Sequence, residues 1–388
     1  MSVGIDEISF YTSGQYLDLK TLAEHQGIDS NKYYDGIGQE KMAMAAVDED
    51  VVTLAANAAL PIVERVGRDS IAAVLFATET GIDQSKAAGV YVHRLLDLNS
   101  NCRVVELKQA CYSATAAIQM ACALVARQPA RPVLVIASDV ARYDLESPGE
   151  ATQGCGAVAM LVSANPRVLA IDPEVGNHTE DVMDFWRPNY RTNALVDGKY
   201  STKIYLKSLK RSWENFREQS SVDYSDIDYF CYHLPFGKMA QKAHSHLARV
   251  NKSGQTPEQL EQQIEPTLQY NRLIGNSYTA SMYIGLCSLL ENSSETLVDK
   301  RVGLFSYGSG CVAEFFTGVV QPGYQGALNK ERHQALLRER TELSFDEYIK
   351  LYHYPNPTDG GEHILAEQTQ GAFRLAAITD HKREYVAR

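Results

Sequence analysis

The chain has no apolar run approaching the ~18 residues that a bilayer-spanning helix requires. Its first residues, Met1-Ser2-Val3-Gly4-Ile5-Asp6-Glu7, lack a basic segment followed by an apolar one, so no membrane partner and a cytoplasmic address are expected. Basic excess is missing too. The 37 Lys and Arg stand against 48 Asp and Glu, a net charge of −11, which argues against nucleic acid or an anionic membrane as a general partner. A phosphate-bearing small molecule in a local basic pocket is easier to accommodate. The seven cysteines, at positions 102, 111, 122, 155, 231, 287 and 311, are odd in number and show no C-x-x-C spacing. That fits neither a disulfide framework nor a zinc site, so reduced thiols and no metal are expected. The glycine-bearing loop from Pro148 to Gly156 contains neither G-x-G-x-x-G nor a P-loop pattern and is no nucleotide cradle.

With 388 residues, 45% of them hydrophobic, the chain can form two ordinary domains or one duplicated unit. One stretch stands out. Val104 to Ala117 is a short strand, a tight step of small residues and the start of an alanine-rich helix, with Cys111 at the junction. From Ala114 to Ala126 only Thr115 and Gln119 are polar, so the helix is expected in the core. Unpaired N–H groups and the dipole at a helix start favour thiolate over thiol, which would make Cys111 a nucleophile. Small buried packing is the other use of a free cysteine.

Around this stretch the chain alternates. Asp50 to Val66 has helical apolar spacing, and Ile71 to Ala77 is a continuous apolar run expected as a strand buried on both faces, ending in Thr78-Glu79-Thr80. A carboxylate just past a buried strand lies where α/β proteins build sites, although a solvated loop residue is equally placed there. Val133 to Asp139 is another buried strand. After residue 200 the order recurs: Ile227 to His233 is a strand, Leu273 to Leu290 opens with small residues and continues as an apolar helix, and Arg301 to Gly310 is a strand running into a polar loop. A duplicated unit of this kind predicts an α/β fold with helices sandwiched between two sheets. Cys111 and Asn276 would then begin equivalent helices, and Glu79 and His233 would end equivalent strands, all near one pseudo-twofold axis. The opening segment is too irregular to assign, Asp184 to Pro188 and Leu195 to Ser201 look like irregular insertions, and Thr256 and Ser344 each open a capping box.

Several long motifs occur in order: ATETGIDQSKAA around Glu79, LKQACYSATAA around Cys111, ASDVARY around Asp139 and Tyr143, GEATQGCGAVAML around Gly154, DFWRP, LVDGKYS, YHLPFGKMAQKA around His233, IGNSYTASMY around Asn276 and FSYGSGCVAEFF. With these the sequence resembles the bacterial 3-hydroxy-3-methylglutaryl-CoA (HMG-CoA) synthases of the thiolase-fold superfamily, over essentially the whole chain and most weakly after about Tyr354. There is no G-H-P histidine and no H-G-T-G-T segment, unlike thiolases and ketoacyl synthases, and Cys311 lacks the glycine-rich context of a second catalytic cysteine.

The resemblance implies a thiolase-like αβαβα fold of five layers, with two duplicated halves and a buried helix in each: residues 1–165 carry Glu79 and Cys111, and 166–388 carry His233 and Asn276 with insertions and a C-terminal extension. It implies a homodimer that condenses acetyl-CoA with acetoacetyl-CoA to give HMG-CoA in the mevalonate pathway, without a cofactor. By motif, Cys111 takes up the acetyl group, Glu79 is the general acid/base and His233 binds the acetoacetyl thioester. Asn276, Tyr143, Asp184, Tyr307, Ser309 and Gly154 line the substrate pocket, and Lys238 and Lys242 meet the CoA phosphates. Backbone N–H groups at Cys111 and in Gly308-Ser309-Gly310 would carry the oxyanion. A homologue acting on carrier-protein thioesters in polyketide synthesis, or a non-catalytic acyl-CoA-binding protein on the same scaffold, would share much of this pattern.

Overall fold

A computed structural model describes residues 1–388. The apolar runs fold as strands: β1 (Val3–Tyr11), β2 (Ala73–Ala77), β3 (Arg103–Leu107), β4 (Val133–Ala141), β5 (Gly154–Ala164), β6 (Leu169–Thr179), β7 (Tyr229–Tyr232), β8 (Arg301–Gly308) and β9 (Val312–Val320). The first half has the order β3-β2-β4-β5-β1 and the second β7-β8-β9-β6. Directions repeat as well. β2–β4 is parallel while β4–β5 and β5–β1 are antiparallel, and β7–β8 is parallel while β8–β9 and β9–β6 are antiparallel. The duplication is therefore real, and β3 alone has no counterpart.

The principal helices are α1 (Val51–Val66), α2 (Ser113–Arg127), α3 (Gly198–Gln219), α4 (Gly237–Val250), α5 (Glu265–Ile274) and α6 (Ser281–Asn292). α1 packs on β1, β4 and β5, and α3 on β6 and β9. Between the halves α2 meets α6, with Thr115 Oγ1 2.8 Å from Tyr283 OH. The two half-sheets are not separate, as a simple sandwich predicts. β1 and β6 pair at Gly4–Ala170 and Ile5–Leu169, which joins all nine strands edge to edge. Gly4 permits that seam, because a Cβ there would stand 2.0 Å from the Leu169 carbonyl oxygen.

Four expectations change on the structure. α6 is buried along its length, but α2 leaves one side open, with Met120 51% exposed. Leu273 to Leu290 is not one helix: α5 ends at Ile274, Gly275 turns at φ +87° hard against the Gln153 carbonyl, and α6 begins only at Ser281. The opening segment contains the central strand β1, hidden from a periodicity reading by Glu7 and Ser9, both fully buried. Glu7 is paired with Arg65 at 2.9 Å and Arg167 at 2.5 Å, and Ser9 meets His333 at 3.3 Å. Finally, the two segments read as irregular insertions are ordered: Phe185–Trp186 and Leu195–Val196 pair as a short antiparallel ribbon, and Asp197 then caps the 22-residue α3. Both capping boxes form as read. Beyond Tyr354 the chain makes a three-stranded sheet (Glu362–Ile364, Phe373–Thr379, Lys382–Ala387) tied to the start of α1, where Asp50 receives Tyr385 at 2.6 Å and Arg383 at 3.0 Å. No helix is long and apolar enough to cross a membrane.

The seam yields a test. Gly4→Ala forces a Cβ into the Leu169 carbonyl and lowers stability by roughly 1–3 kcal/mol, seen as a lower urea midpoint with an unchanged slope; an unaltered midpoint would show that the two half-sheets do not depend on this approach.

Candidate active site

The step between β3 and α2 raises Cys111 above the helix. Ala110 is held at φ +44°, a left-handed conformation that costs an alanine energy. Two hydrogen bonds hold it there: Gln109 N–H donates to Ser113 Oγ at 2.5 Å, and the Ser113 hydroxyl donates to the Ala110 carbonyl at 2.9 Å. α2 therefore starts two residues past the cysteine, so the thiol precedes the helix and does not sit in its first turn.

Glu79 arrives from the end of β2. Cys111 Sγ lies 2.9 Å from its Oε1, with the thiol as donor. Beneath them sits Asp139, fully buried at the end of β4. Its Oδ1 accepts from Thr78 Oγ1 (2.7 Å), Glu79 N (2.9 Å), Thr80 N (3.0 Å) and Thr80 Oγ1 (2.5 Å), and its Oδ2 accepts from Thr279 N (3.1 Å) and Oγ1 (2.5 Å). One carboxylate thus fastens the Glu79 loop of the first half to the Asn276–Ala280 segment of the second. Arg187 also donates to the Glu79 carbonyl.

Electrostatics follow from this packing. Burial, then the Asp139 charge, push the Glu79 carboxyl up to about 8, although the side chain is only half-buried. Burial and the Glu79 carboxylate hold the Cys111 thiol well above the usual cysteine range. The expected resting thiolate is therefore replaced by a thiol hydrogen-bonded to its own base.

Around the sulfur, Tyr143, Tyr278, Phe185 and Ala194 form an apolar wall. The Tyr143 and Tyr278 rings are edge to face, with centroids 6.3 Å apart, and the Tyr143 hydroxyl faces Asn276 as well. The buried Tyr278 hydroxyl has no hydrogen-bond partner. Asn276 is fixed by its backbone N–H to the Thr152 carbonyl (3.0 Å) and by its Oδ1, which accepts Tyr278 N–H (2.9 Å). Gly154 lies under it, where a Cβ would come within 2.4 Å of the Ile274 carbonyl and 2.8 Å of the Asn276 carbonyl.

The second half supplies the other side. His233 follows β7, and 4% of its surface is exposed; its Nδ1 is 2.9 Å from Ser281 Oγ, and its carbonyl accepts the Tyr205 hydroxyl at 2.8 Å. Burial pushes its pKa down to about 3, so the imidazole is neutral. Asp184 is fully buried and accepts from Tyr307 OH (2.6 Å), Ser201 Oγ (3.0 Å) and Gly310 N (2.9 Å). Gly310 N–H is thus engaged and Gly308 lies within the β8–β9 ladder opposite Val312, which leaves the Cys111 and Ser309 N–H groups as candidate oxyanion donors from the expected set. The loop abuts the cysteine step: a Cβ on Gly308 would meet the Gln109 carbonyl at 2.4 Å, and the Ser309 carbonyl accepts Gln109 Nε2 at 3.2 Å. Cys311 packs in the core of the second half, against Ser208 at 3.7 Å. Lys238 and Lys242 stand apart from the sulfur. With Arg249 and Lys252 they line a groove of about 880 Å³ along α4, the helix that begins four residues after His233.

Glu79, Tyr143 and Asn276 are thus gathered round Cys111. Asp184, Tyr307 and Ser309 shape the adjoining loop, and the lysines mark a separate groove. Asp139, Arg187 and Tyr278 carry the local geometry; each lies in a motif quoted from the sequence but was given no role there. A buried strand ending in a carboxylate was a signal for Asp139; Arg187 was marked only by its place in the DFWRP motif.

Known proteins place these features. The family descriptions "Hydroxymethylglutaryl-coenzyme A synthase N terminal" and "C terminal" match residues 1–167 and residues 169–261 and 254–353. A hydroxymethylglutaryl-CoA synthase of Enterococcus faecalis is 42% identical over 386 residues, covering 99% of this chain and 100% of its own. A polyketide-biosynthesis 3-hydroxy-3-methylglutaryl-ACP synthase of Bacillus subtilis (strain 168) is 35% identical over 374 residues, covering 91% and 88%. Among solved structures, an HMG-CoA synthase complexed with CoA superposes with a TM-score of 0.94 at 42% identity, covering 100% of both chains. The fold is therefore thiolase-like.

The Cys111–Glu79 contact sets a pH dependence. We propose that Glu79 accepts the Cys111 proton in its carboxylate form, so that the single-turnover rate of acetyl transfer to Cys111 rises with pH through about 8; Glu79→Gln should remove that rise, and an unchanged profile would exclude the glutamate as base. The same shift bears on stability. A carboxyl raised above its unfolded value of 4.5 loses stability as pH climbs towards 8, so Glu79→Gln should melt above wild type by a margin that grows over that window.

Proposed function

Because the chain belongs to the hydroxymethylglutaryl-CoA synthase family, we propose that it condenses acetyl-CoA with acetoacetyl-CoA and water to give HMG-CoA and CoA, through an acetyl-Cys111 intermediate in the mevalonate (isoprenoid) pathway. The observation that carries the mechanism is the 2.9 Å contact between Cys111 Sγ and Glu79 Oε1. Glu79 takes the thiol proton as sulfur adds to the acetyl thioester, and the departing CoA thiolate takes that proton away. The freed carboxylate then removes a methyl proton from acetyl-Cys111 while the Cys111 and Ser309 N–H groups hold the enolate oxygen. The enolate carbon bonds to the ketone carbon of acetoacetyl-CoA. The alkoxide so formed receives the proton from Glu79 and a hydrogen bond from neutral His233. Water finally cleaves the Cys111 thioester, releasing the new carboxylate and restoring the thiol.

The raised Glu79 pKa, about 8, suits a group that must both take and return a proton near neutrality. Tyr143 and Asn276 border the acetyl group, Gly154 lets the Asn276 backbone come close, and Asp184 with Tyr307 braces the Ser309 loop. Lys238 and Lys242, in the α4 groove, suit the phosphates of CoA. The carrier-protein synthase of polyketide assembly is the more distant relative, at 35% against 42% identity, which favours free CoA thioesters. A base already bonded to its nucleophile disfavours a merely binding protein. We place the boundary between halves at residues 165/166, in the turn between β5 and β6, and the protein in the cytoplasm.

A homodimer accounts for the open side of the first half. β3 is the outermost strand with Val105 43% exposed, and the neighbouring α2 presents Met120 at 51%. An apolar edge strand beside an apolar helix face is a pairing surface.

Two experiments test the proposal. Intact-protein mass spectrometry after acetyl-CoA should show one acetyl group on wild type and none on Cys111→Ala; Glu79→Ala should acetylate slowly and lose condensation by about 10³-fold, while an equal condensation rate would remove the base assignment. Sedimentation should give a dimer that Val105→Lys combined with Met120→Lys converts to monomer, whereas a monomeric wild type would contradict the pairing.

A further inference from the structure

Ser281, the first residue of α6, stands directly behind His233. Its Oγ is 2.9 Å from His233 Nδ1 and accepts the Leu234 N–H at 3.3 Å. Both side chains are buried, and the Ser281 backbone is fixed in turn by Asn271 Nδ2 donating to its carbonyl at 3.2 Å. The His233 backbone is fully engaged, since its N–H donates to the Phe305 carbonyl at 2.8 Å and its carbonyl accepts the Tyr205 hydroxyl. Ser281 is therefore the polar contact that orients the ring. Nε2 has no hydrogen-bond partner in the protein and is not fully buried, so it is the ring nitrogen left free for a ligand.

The proton positions follow by counting. A serine hydroxyl donates one hydrogen bond and accepts up to two. Leu234 N–H already occupies an acceptor position on Oγ, and the acceptor within reach of the Ser281 proton is His233 Nδ1. Were Nδ1 protonated, Oγ would receive two donors and its own proton would be buried without a partner, which is costly. A neutral imidazole has one other arrangement, with Nδ1 bare and the proton on Nε2.

We propose that Ser281 is a positioning residue for the condensation: its hydroxyl donates to Nδ1 and fixes His233 as the Nε2–H tautomer, aimed at the acetoacetyl oxygen. The inference rests on the reading of His233 as the acetoacetyl ligand. Without Ser281 the ring populates both tautomers and loses part of its donor, while Cys111 and Glu79 are untouched.

The test uses the full-length protein labelled with ring ¹⁵N histidine. The His233 signals, identified by their loss in His233→Ala, should report a protonated Nε2 and a bare Nδ1 near neutral pH. In Ser281→Ala that single tautomer should be lost and KM for acetoacetyl-CoA should rise about tenfold, with acetylation of Cys111 by acetyl-CoA alone unchanged. A folding defect would depress both half-reactions together. A protonated Nδ1 in wild type, or an unaltered Nε2–H pattern in Ser281→Ala, overturns the proposal, and the wild-type spectrum decides even if the variant does not fold. If the spectra are as expected but His233→Ala leaves KM for acetoacetyl-CoA unchanged, it is the reading of His233 as ligand that fails.

Discussion

A thiol hydrogen-bonded to a half-buried carboxylate is the constraint to which the rest of this structure conforms. Each of the two groups alone would be inert near neutrality, the cysteine because burial keeps its proton on and the glutamate because it would be a weak solvated base. Placed 2.9 Å apart in a largely apolar setting, they share the problem of one proton. The glutamate rises to about 8 and the thiol rises further, so neither ionises independently. In the proposed reaction the substrate switches reactivity on, when a thioester carbonyl offers the sulfur somewhere to go.

Holding that pair demands parts from both halves of the chain. Asp139, at the end of a first-half strand, gathers the threonines and backbone on either side of Glu79 with one oxygen and Thr279 of the second half with the other. After burial, its charge also helps keep Glu79 protonated to higher pH, so the same carboxylate contributes to both position and acidity. The glycines serve closeness. Gly154, Gly275 and Gly308 each lie where a side chain would collide with the backbone of a facing segment, which lets the Asn276 turn and the Ser309 loop crowd the cysteine.

Much of this was legible in the sequence. The apolar runs before Glu79 and His233 and the small-residue step at Cys111 marked the strand ends and the helix start, and their recurrence gave the duplicated plan before any resemblance was invoked. What escaped did so for physical reasons. The β1 strand carries Glu7 and Ser9 inward because Arg65, Arg167 and His333, distant in sequence, satisfy them, so its alternation is blurred. Residues 273–290 have helical composition, but a positive φ at Gly275, imposed by the Gln153 carbonyl, breaks them in two. The thiolate reading failed because dipole arguments count only the helix, whereas here a neighbouring negative charge and burial outweigh it. α2, apolar by composition, was expected wholly in the core, but it leaves Met120 on an open side.

The central claim is that Glu79 and Cys111 form one titrating unit. The most direct measurement is the pH dependence of Cys111 alkylation by a small haloacetamide in wild type and Glu79→Gln. The account predicts that wild-type reactivity appears only well above the ordinary cysteine pKa, and that removing the neighbouring carboxylate charge moves the apparent thiol pKa downward. A wild-type thiol that titrates as an ordinary cysteine, or one whose titration is the same without Glu79, would contradict it.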